Sequence, residues 1–325
     1  MAIKSVLSLV RATGDLHLGN YLGAARDFVE LDRDPERECY FGVADLHALT
    51  TLPNAEELRT KTRGVVRSLL AAGIDPNNSA LFLQSAVPET PELFWLLCNV
   101  TSAGELQRSK TFKEMSAKQA DNVNAGLLAY PVLMAADILG PQADLVPIGD
   151  DQMAHLEMTR NIAKRFNHRY GDTLRMPAPF RKKGIRVPGL DGKGKMSKSD
   201  GNGFSITASS EDVWKVLKPA YTDPARKRRT DPGTPEICPI GQIHRMVSPD
   251  EDVKTIEDGC RTAGIGCVDC KRLLHKNLDV MLDPIRERNS GLTESHIDQA
   301  LEAGAERVRA RVGKTTAMVK EKMGL

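Results

Sequence analysis

The sequence predicts an α/β fold, a parallel sheet covered by helices on both faces, followed by a smaller helical region. Three observations predict it. Strand and helix signals alternate through the first 150 residues. Glycine, proline and lysine accumulate in a loop-like stretch after about residue 175. From Glu251 onward only helical periodicity remains.

The length of 325 residues suits two domains and a core that needs no disulfides. A hydrophobic share of 41% excludes a disordered chain. Lys plus Arg number 45 and Asp plus Glu 43, a balance that argues against a protein coating nucleic acid but leaves room for a local basic patch. No run of ~18 apolar residues spans a membrane. Met1-Ala2-Ile3-Lys4 leads into an apolar run without a signal-peptide layout. A cytosolic location is therefore expected, where the six cysteines stay reduced.

The elements follow in order. Residues 6–10 form a β-prone run ending in the turn Thr13-Gly14-Asp15, and a helix is expected from Gly19 to Leu31. Residues 39–46 are a second strand. Asn54 caps a helix with Glu56 and Glu57 in its first turn. Leu58, Val65, Leu69 and Ala72 keep helical spacing there, and Gly73 stands where a C-terminal glycine belongs. Residues 80–84 and 145–149 are the third and fourth strands. Ligands of such sheets sit outside the carboxyl ends of the strands. Residues 181–194 read as exposed loop. Ser209 or Ser210 caps a helix holding Val213, Trp214 and Leu217, and four prolines break residues 222–239 around the run Arg226-Lys227-Arg228-Arg229. The last helix runs from about Thr293 to Lys322 with Ile297, Leu301, Val308 and Val312 as its buried stripe.

Three strings carry chemistry. Thr13-Gly14-Asp15-Leu16-His17-Leu18-Gly19-Asn20 joins a strand end to a helix start. Its glycines admit a ligand close to the backbone, and a helix N-terminus offers N–H groups to a phosphate. His17 and Asn20 share one helix face and both can donate to an oxyanion. Lys195-Met196-Ser197-Lys198-Ser199 lies in the exposed loop. Two lysines three apart among small hydroxyl residues suit a phosphate clamp that follows moving charge. Gly149-Asp150-Asp151-Gln152 ends the fourth strand, with His155, Glu157 and Arg160 on the next helix. One of the two aspartates is expected to bind ribose hydroxyls and the other to cap the helix.

Together these strings resemble class I aminoacyl-tRNA synthetases. His17-Leu18-Gly19-Asn20 stands for that class's His-Ile-Gly-His signature, and Lys195–Ser199 is its lysine-serine signature unchanged. The chain resembles more narrowly the bacterial-type tryptophanyl-tRNA synthetases. Gly104-Glu105-Leu106 to Phe112-Lys113, residues 124–139 (N-A-G-L-L-A-Y-P-V-L-M-A-A-D-I-L) and residues 146–166 (V-P-I-G-D-D-Q-M-A-H-L-E-M-T-R-N-I-A-K-R-F) carry that likeness, which extends along nearly the whole chain.

The resemblance implies a Rossmann-like doubly wound catalytic domain over residues 1–200. It implies a helical anticodon-binding domain over 201–325, whose last helix packs back on the first. It implies a tryptophan–tRNA ligase that uses ATP and Mg²⁺, acts on L-tryptophan and tRNA(Trp), and forms a homodimer. His17, Asn20, Lys195 and Lys198 would be catalytic. ATP would meet Arg11, Ala12, Thr13, Gly19, Asn20, Gly149, Asp150, Asp151, Val187 and the string Lys195-Met196-Ser197-Lys198-Ser199. Lys113 would help. Asp137 would accept the indole N–H, a group that donates and cannot accept. Tyr130, Met134, Val146 and Ile148 would line the ring pocket, with Gln152 near the amino group.

The chain departs from the family at Leu9 and Ala12, where a glycine and a proline are usual. Leu9 is expected to narrow the pocket or to shift the backbone. The nearest alternative enzyme is a tyrosyl-tRNA synthetase. A paralogue that binds an indole compound or tRNA without charging it is the non-enzyme alternative.

Cys39 and Cys98 read as buried hydrophobes. The other four cysteines form Cys238-x21-Cys260-x6-Cys267-x2-Cys270, a pattern for a tetrahedral metal or an iron–sulfur cluster. Spacing does not separate the two. A subset of the family carries a [4Fe–4S] cluster in similar local sequence, which favours the cluster over Zn²⁺. Lys271, Arg272 and Lys276 beside the ligands, and residues 226–229, are candidate contacts to tRNA phosphates.

Overall fold

A computed structural model describes residues 3–149, 152–180, 185–198 and 200–325. Five strands form one sheet: β1 (Lys4–Arg11), β2 (Arg37–Ala44), β3 (Ala80–Leu83), β4 (Leu145–Pro147) and β5 (Ala178–Phe180). Their order is β3-β2-β1-β4-β5, and every pairing is parallel. The order reverses between β1 and β4, so a crevice opens at their carboxyl ends. The fold is the doubly wound, Rossmann-like α/β arrangement with a helical C-terminal region.

The strand ends differ from the sequence-based bounds for local reasons. β2 stops at Ala44 because Asp45 turns the chain: its Oδ1 accepts from Leu46 N at 3.0 Å and from Ser85 N at 2.9 Å. Gln84 opens a short 3₁₀ turn instead of prolonging β3. β5 was not legible, because Ala178-Pro179-Phe180 is three residues long with a proline in the middle. Proline is tolerated there because β5 is an edge strand.

The helix expected over Gly19 to Leu31 is three pieces: Leu18–Asn20, a π turn at Tyr21–Ala25, and Arg26–Asp32. The helix Ala55–Ala72 has the expected caps. Asn54 accepts from Glu57 N, and Gly73 turns the chain at φ +114°. Ser209, not Ser210, caps Ser210–Leu217 by accepting from Asp212 N.

The C-terminal region contains the helices Pro239–Val247, Asp250–Arg261, Cys267–Gly291 and Glu294–Met323. Cys267–Gly291 packs on Ala55–Ala72. Val65 and Leu69 share one core with Leu274, Leu278 and Leu282. Arg288 Nε donates to Ala71 O at 2.7 Å across that contact. The last helix lies against β3 with Gly304 at the closest approach, where a Cβ would stand 1.9 Å from Leu81 O. Ala305, Val308 and Val312 of the same helix join Leu7, Tyr40 and Phe82 in a second core. Among the described residues no helix is long and apolar enough to cross a membrane.

Candidate active site

A cavity of about 770 Å³ opens at the carboxyl ends of β1 and β4. Its wall includes Arg11, Tyr130, Met134, Asp137, Val146, Ile148, Gly149 and Gln152, all expected from sequence. The helix Ala125–Leu139 supplies three of them. Asn124 caps it by accepting from Leu127 N at 2.9 Å. Tyr130, Met134 and Asp137 follow at four- and three-residue steps, so one helix face turns into the cavity.

Asp137 is the buried charge of this site, with 7% exposure. His47 Nε2 lies 2.9 Å from its Oδ2. Gln84 Nε2 donates to both carboxylate oxygens at 2.8 and 2.9 Å. Burial pushes the Asp137 carboxyl above the ordinary carboxylate range, and the bonds from His47 and Gln84 oppose that shift. His47 and Gln84 were not singled out from the sequence. Both follow the carboxyl ends of strands, β2 and β3, which is the signal that points to them.

A second polar chain starts from the same helix face. Tyr130 Oη lies 2.9 Å from His155 Nε2, and His155 Nδ1 lies 3.0 Å from Gln152 Oε1. A carbonyl oxygen only accepts, so Nδ1 carries the proton and Nε2 accepts from the tyrosine. Burial raises the Tyr130 pKa, keeping the phenol protonated.

Leu9 also lines the cavity, half-buried beside Met134 and Ile148. The β1–β2 register runs unbroken from Lys4↔Arg37 to Arg11↔Ala44. The strand pairing is therefore intact at Leu9, whose side chain forms part of the cavity wall. Gly42, opposite Leu9, makes room for it: a Cβ there would lie 3.0 Å from Leu9 Cγ and 2.8 Å from Phe82 Cζ.

His17, Asn20, Lys195 and Lys198, expected to meet phosphates, do not line this cavity; they gather around His17. Its Nδ1 accepts from Asn20 N at 3.2 Å, and Asn20 Oδ1 accepts from His17 N at 3.2 Å. Leu18 N donates to Phe204 O at 3.3 Å. Two N–H groups of the expected open helix N-terminus are thus already used. The side chains remain to meet an anion: His17 with the proton on Nε2, and the two lysines. Burial first, then Lys195 and Lys198, lower the His17 pKa. The ring is therefore neutral near pH 7. The folded value lies below the ordinary 6.5, so this contribution to stability is intact above 6.5 and is lost as pH falls through the lowered value. The thermal midpoint is expected to drop more between pH 7 and 5 in the parent than in His17→Asn, measured side by side.

The lysine loop is held against this helix. Met196 is buried, and its N–H donates to Val187 O at 2.8 Å. Ser197 N donates to Asn202 Oδ1 at 2.7 Å, and Ile206 N to Leu16 O at 3.0 Å. Lys198 reaches over Gly14, where a Cβ would lie 2.4 Å from its Nζ. Gly14 has φ +88°, the left-handed region that favours glycine, while the lysine end could swing aside. Ala12 is buried in the core and Thr13 is exposed beside the site; neither lines the cavity. Asp150, Asp151 and Ser199 lie outside the described residues.

Two basic candidates change role. Lys271 is buried, not solvated, and donates to Lys218 O at 2.8 Å and Ala220 O at 2.6 Å. Arg226 donates to Ile265 O at 2.9 Å and sits 3.8 Å from Cys260 Sγ, so it braces the cysteine region. Burial, then the charges that Cys238, Cys260 and Cys267 would carry, pushes the Cys270 thiol up to about 12. Among the described residues no three His, Cys, Asp or Glu side chains close into a set for one metal ion.

The family model described as "tRNA synthetases class I (W and Y)" matches residues 4–283. The tryptophan–tRNA ligase of Deinococcus radiodurans is 45% identical over 328 residues, covering 99% of each chain. That of Thermotoga maritima is 41% identical over 98% of this chain and 99% of its own. A crystal structure of the Campylobacter jejuni tryptophanyl-tRNA synthetase, complexed with ADP and tryptophan, superposes with TM-score 0.88 at 32% identity, covering 99% of this chain and 100% of that one. The chain belongs to the class I tRNA synthetases of the tryptophan and tyrosine family, and within it to the tryptophan–tRNA ligases.

Proposed function

We propose that the chain activates L-tryptophan with ATP and transfers it to tRNA(Trp). The observation that carries this is Asp137, a buried acceptor fixed by His47 and Gln84 in an otherwise largely apolar cavity. An indole offers a flat apolar ring with one N–H donor, which matches. The tryptophan carboxylate attacks the α-phosphorus of ATP, forming tryptophanyl-adenylate and releasing pyrophosphate. The terminal ribose hydroxyl of the tRNA then takes the acyl group and AMP leaves. Positioning and electrostatics carry the first step: neutral His17 donates from Nε2, and Lys195 and Lys198 follow the phosphate charge. Mg²⁺ would be carried in on the phosphates of ATP and would neutralise part of their charge. Residues 1–200 do this chemistry, residues 201–325 read the anticodon, and two copies of the chain associate.

ATP–pyrophosphate exchange with single amino acids tests the reading. Exchange with tryptophan alone supports it; exchange with tyrosine and none with tryptophan overturns it. Leu9→Gly is expected to change the KM for tryptophan by about tenfold, since one aliphatic contact to a substrate counts for about 1–3 kcal/mol. The inhibition constant of an indole-containing inhibitor should move with it. Unchanged constants mean that Leu9 does not touch the substrate.

Cys238, Cys260, Cys267 and Cys270 are proposed to hold a [4Fe–4S] cluster, with Zn²⁺ as the alternative. One observation supports a fit: Gly233 cradles Cys260, since a Cβ there would lie 2.8 Å from its Sγ. A cubane binds its thiolates through four separate irons, so they stand wider apart than around one zinc. The cluster would cross-link the helices and the loop that carry its ligands. Anaerobically purified protein should absorb in the visible and contain iron; a colourless protein with stoichiometric zinc assigns zinc instead.

A further inference from the structure

A second pocket, of about 530 Å³, lies on the surface of the C-terminal region, lined by Ser210, Glu211, Trp214, Lys218, Arg272 and His275. None of these residues lines the catalytic cavity. Trp214 is half-buried and packs against His275, with ring centroids 5.3 Å apart and planes at 46°. The imidazole is itself fixed, with Nε2 2.8 Å from Ser210 O. The indole is therefore braced from behind and does not need ordering when a ligand arrives.

Cations stand beside the indole. Lys215 is shared by the Glu211 and Asp212 carboxylates, each at 3.1 Å. Arg272 and Arg229 share the single carboxylate of Asp269, at 3.0 and 3.9 Å, leaving one positive charge in excess. Lys218 has no ion pair among the described residues and is exposed.

We propose that this pocket takes one unpaired nucleobase of the tRNA, stacked on Trp214, with the flanking phosphates on Lys218 and Arg272. The inference rests on the tRNA-charging reading above and names a surface for it. A braced aromatic face beside the exposed cations Lys218 and Arg272 is the combination that single-stranded nucleic acid requires: the ring takes any base and the cations take the backbone. An acidic peptide would use the cations and leave the indole face idle.

The test compares tRNA charging with pyrophosphate exchange on the same preparations. Trp214→Ala should raise the KM for tRNA about tenfold, as expected for one lost base stack. Trp214→Phe keeps a stacking face and should stay near the parent. Lys218→Ala and Arg272→Ala should raise the same KM and flatten its salt dependence. Exchange should be unchanged in all four. In a Trp95→Phe background Trp214 is the only tryptophan left of the two, and a tRNA transcript should quench its fluorescence. An unchanged KM in a folded Trp214→Ala, equal loss of exchange and charging, or no quenching overturns the pocket assignment. Quenching by tRNA in a protein without exchange activity supports the pocket and overturns the charging reading instead.

Discussion

Asp137→Asn is expected to lower kcat/KM for tryptophan in pyrophosphate exchange by about a thousandfold. Two effects add. The indole N–H loses a charged acceptor, at about 1.5–3 kcal/mol for a hydrogen bond to an ion. The asparagine amide also confronts donors on both sides, because His47 Nε2 and Gln84 Nε2 each point at a carboxylate oxygen at 2.8–2.9 Å. His47 must then move its proton to Nδ1 so that Nε2 accepts from the amide, or one donor stays unpaired in a buried place at about 1–3 kcal/mol. The variant should still fold, since removing a buried charge also removes its desolvation cost. Steady-state exchange with tryptophan, checked by thermal unfolding of the same sample, measures both. A fall of less than about tenfold would show that Asp137 is not the indole acceptor.

Gly304→Ala should destabilise the fold by about 3–5 kcal/mol, a loss on the scale of the most damaging single substitutions. Helix propensity alone predicts the opposite sign, since alanine favours a helix interior over glycine by about 1 kcal/mol. Packing wins because the added Cβ would stand 1.9 Å from Leu81 O and 2.6 Å from Leu81 C, atoms of a sheet backbone that do not rotate away. The helix must lift from β3, and Ala305, Val308 and Val312 leave the core they share with Leu7 and Tyr40. At about 2–4 °C per kcal/mol for a large domain, the thermal midpoint should fall by about 10 °C or more. Gly313→Ala in the same helix is the control. The nearest atom to its new Cβ would be Glu89 Cγ at 3.9 Å, so there propensity is unopposed and the midpoint should rise. A rise in both variants would mean that the last helix does not lie against β3.

Much of the site was legible because its chemistry is local in sequence. Tyr130, Met134 and Asp137 share a helix face by spacing alone. His17 and Asn20 are close enough to cap one another. Their capping bond itself was not foreseen, and it uses N–H groups that had been assigned to phosphate. His47 and Gln84 were missed because neither belongs to a string: they meet Asp137 only when β2 and β3 bring their ends together over 90 and 53 positions of sequence. Lys271 was misjudged because a lysine's usual place is in water. Here two backbone carbonyls, at 2.8 and 2.6 Å, supply the partners that water would. β5 was missed because a three-residue strand with a central proline has no periodicity to detect.

By itself the sequence determined the alternation of strands and helices, the caps at Asn54 and Gly73, the buried stripe of the last helix and the strings that carry the chemistry. These depend on residue spacing along one element, which backbone geometry converts directly into a shared face. Only the tertiary structure decided which partners hold Asp137, that Leu9 forms part of the cavity wall, that Gly42 makes room for it, and that Gly304 seats the last helix on β3. Each of these depends on atoms a few ångströms apart and many residues distant in the chain. The close packing of the interior creates such contacts, and no local propensity records them.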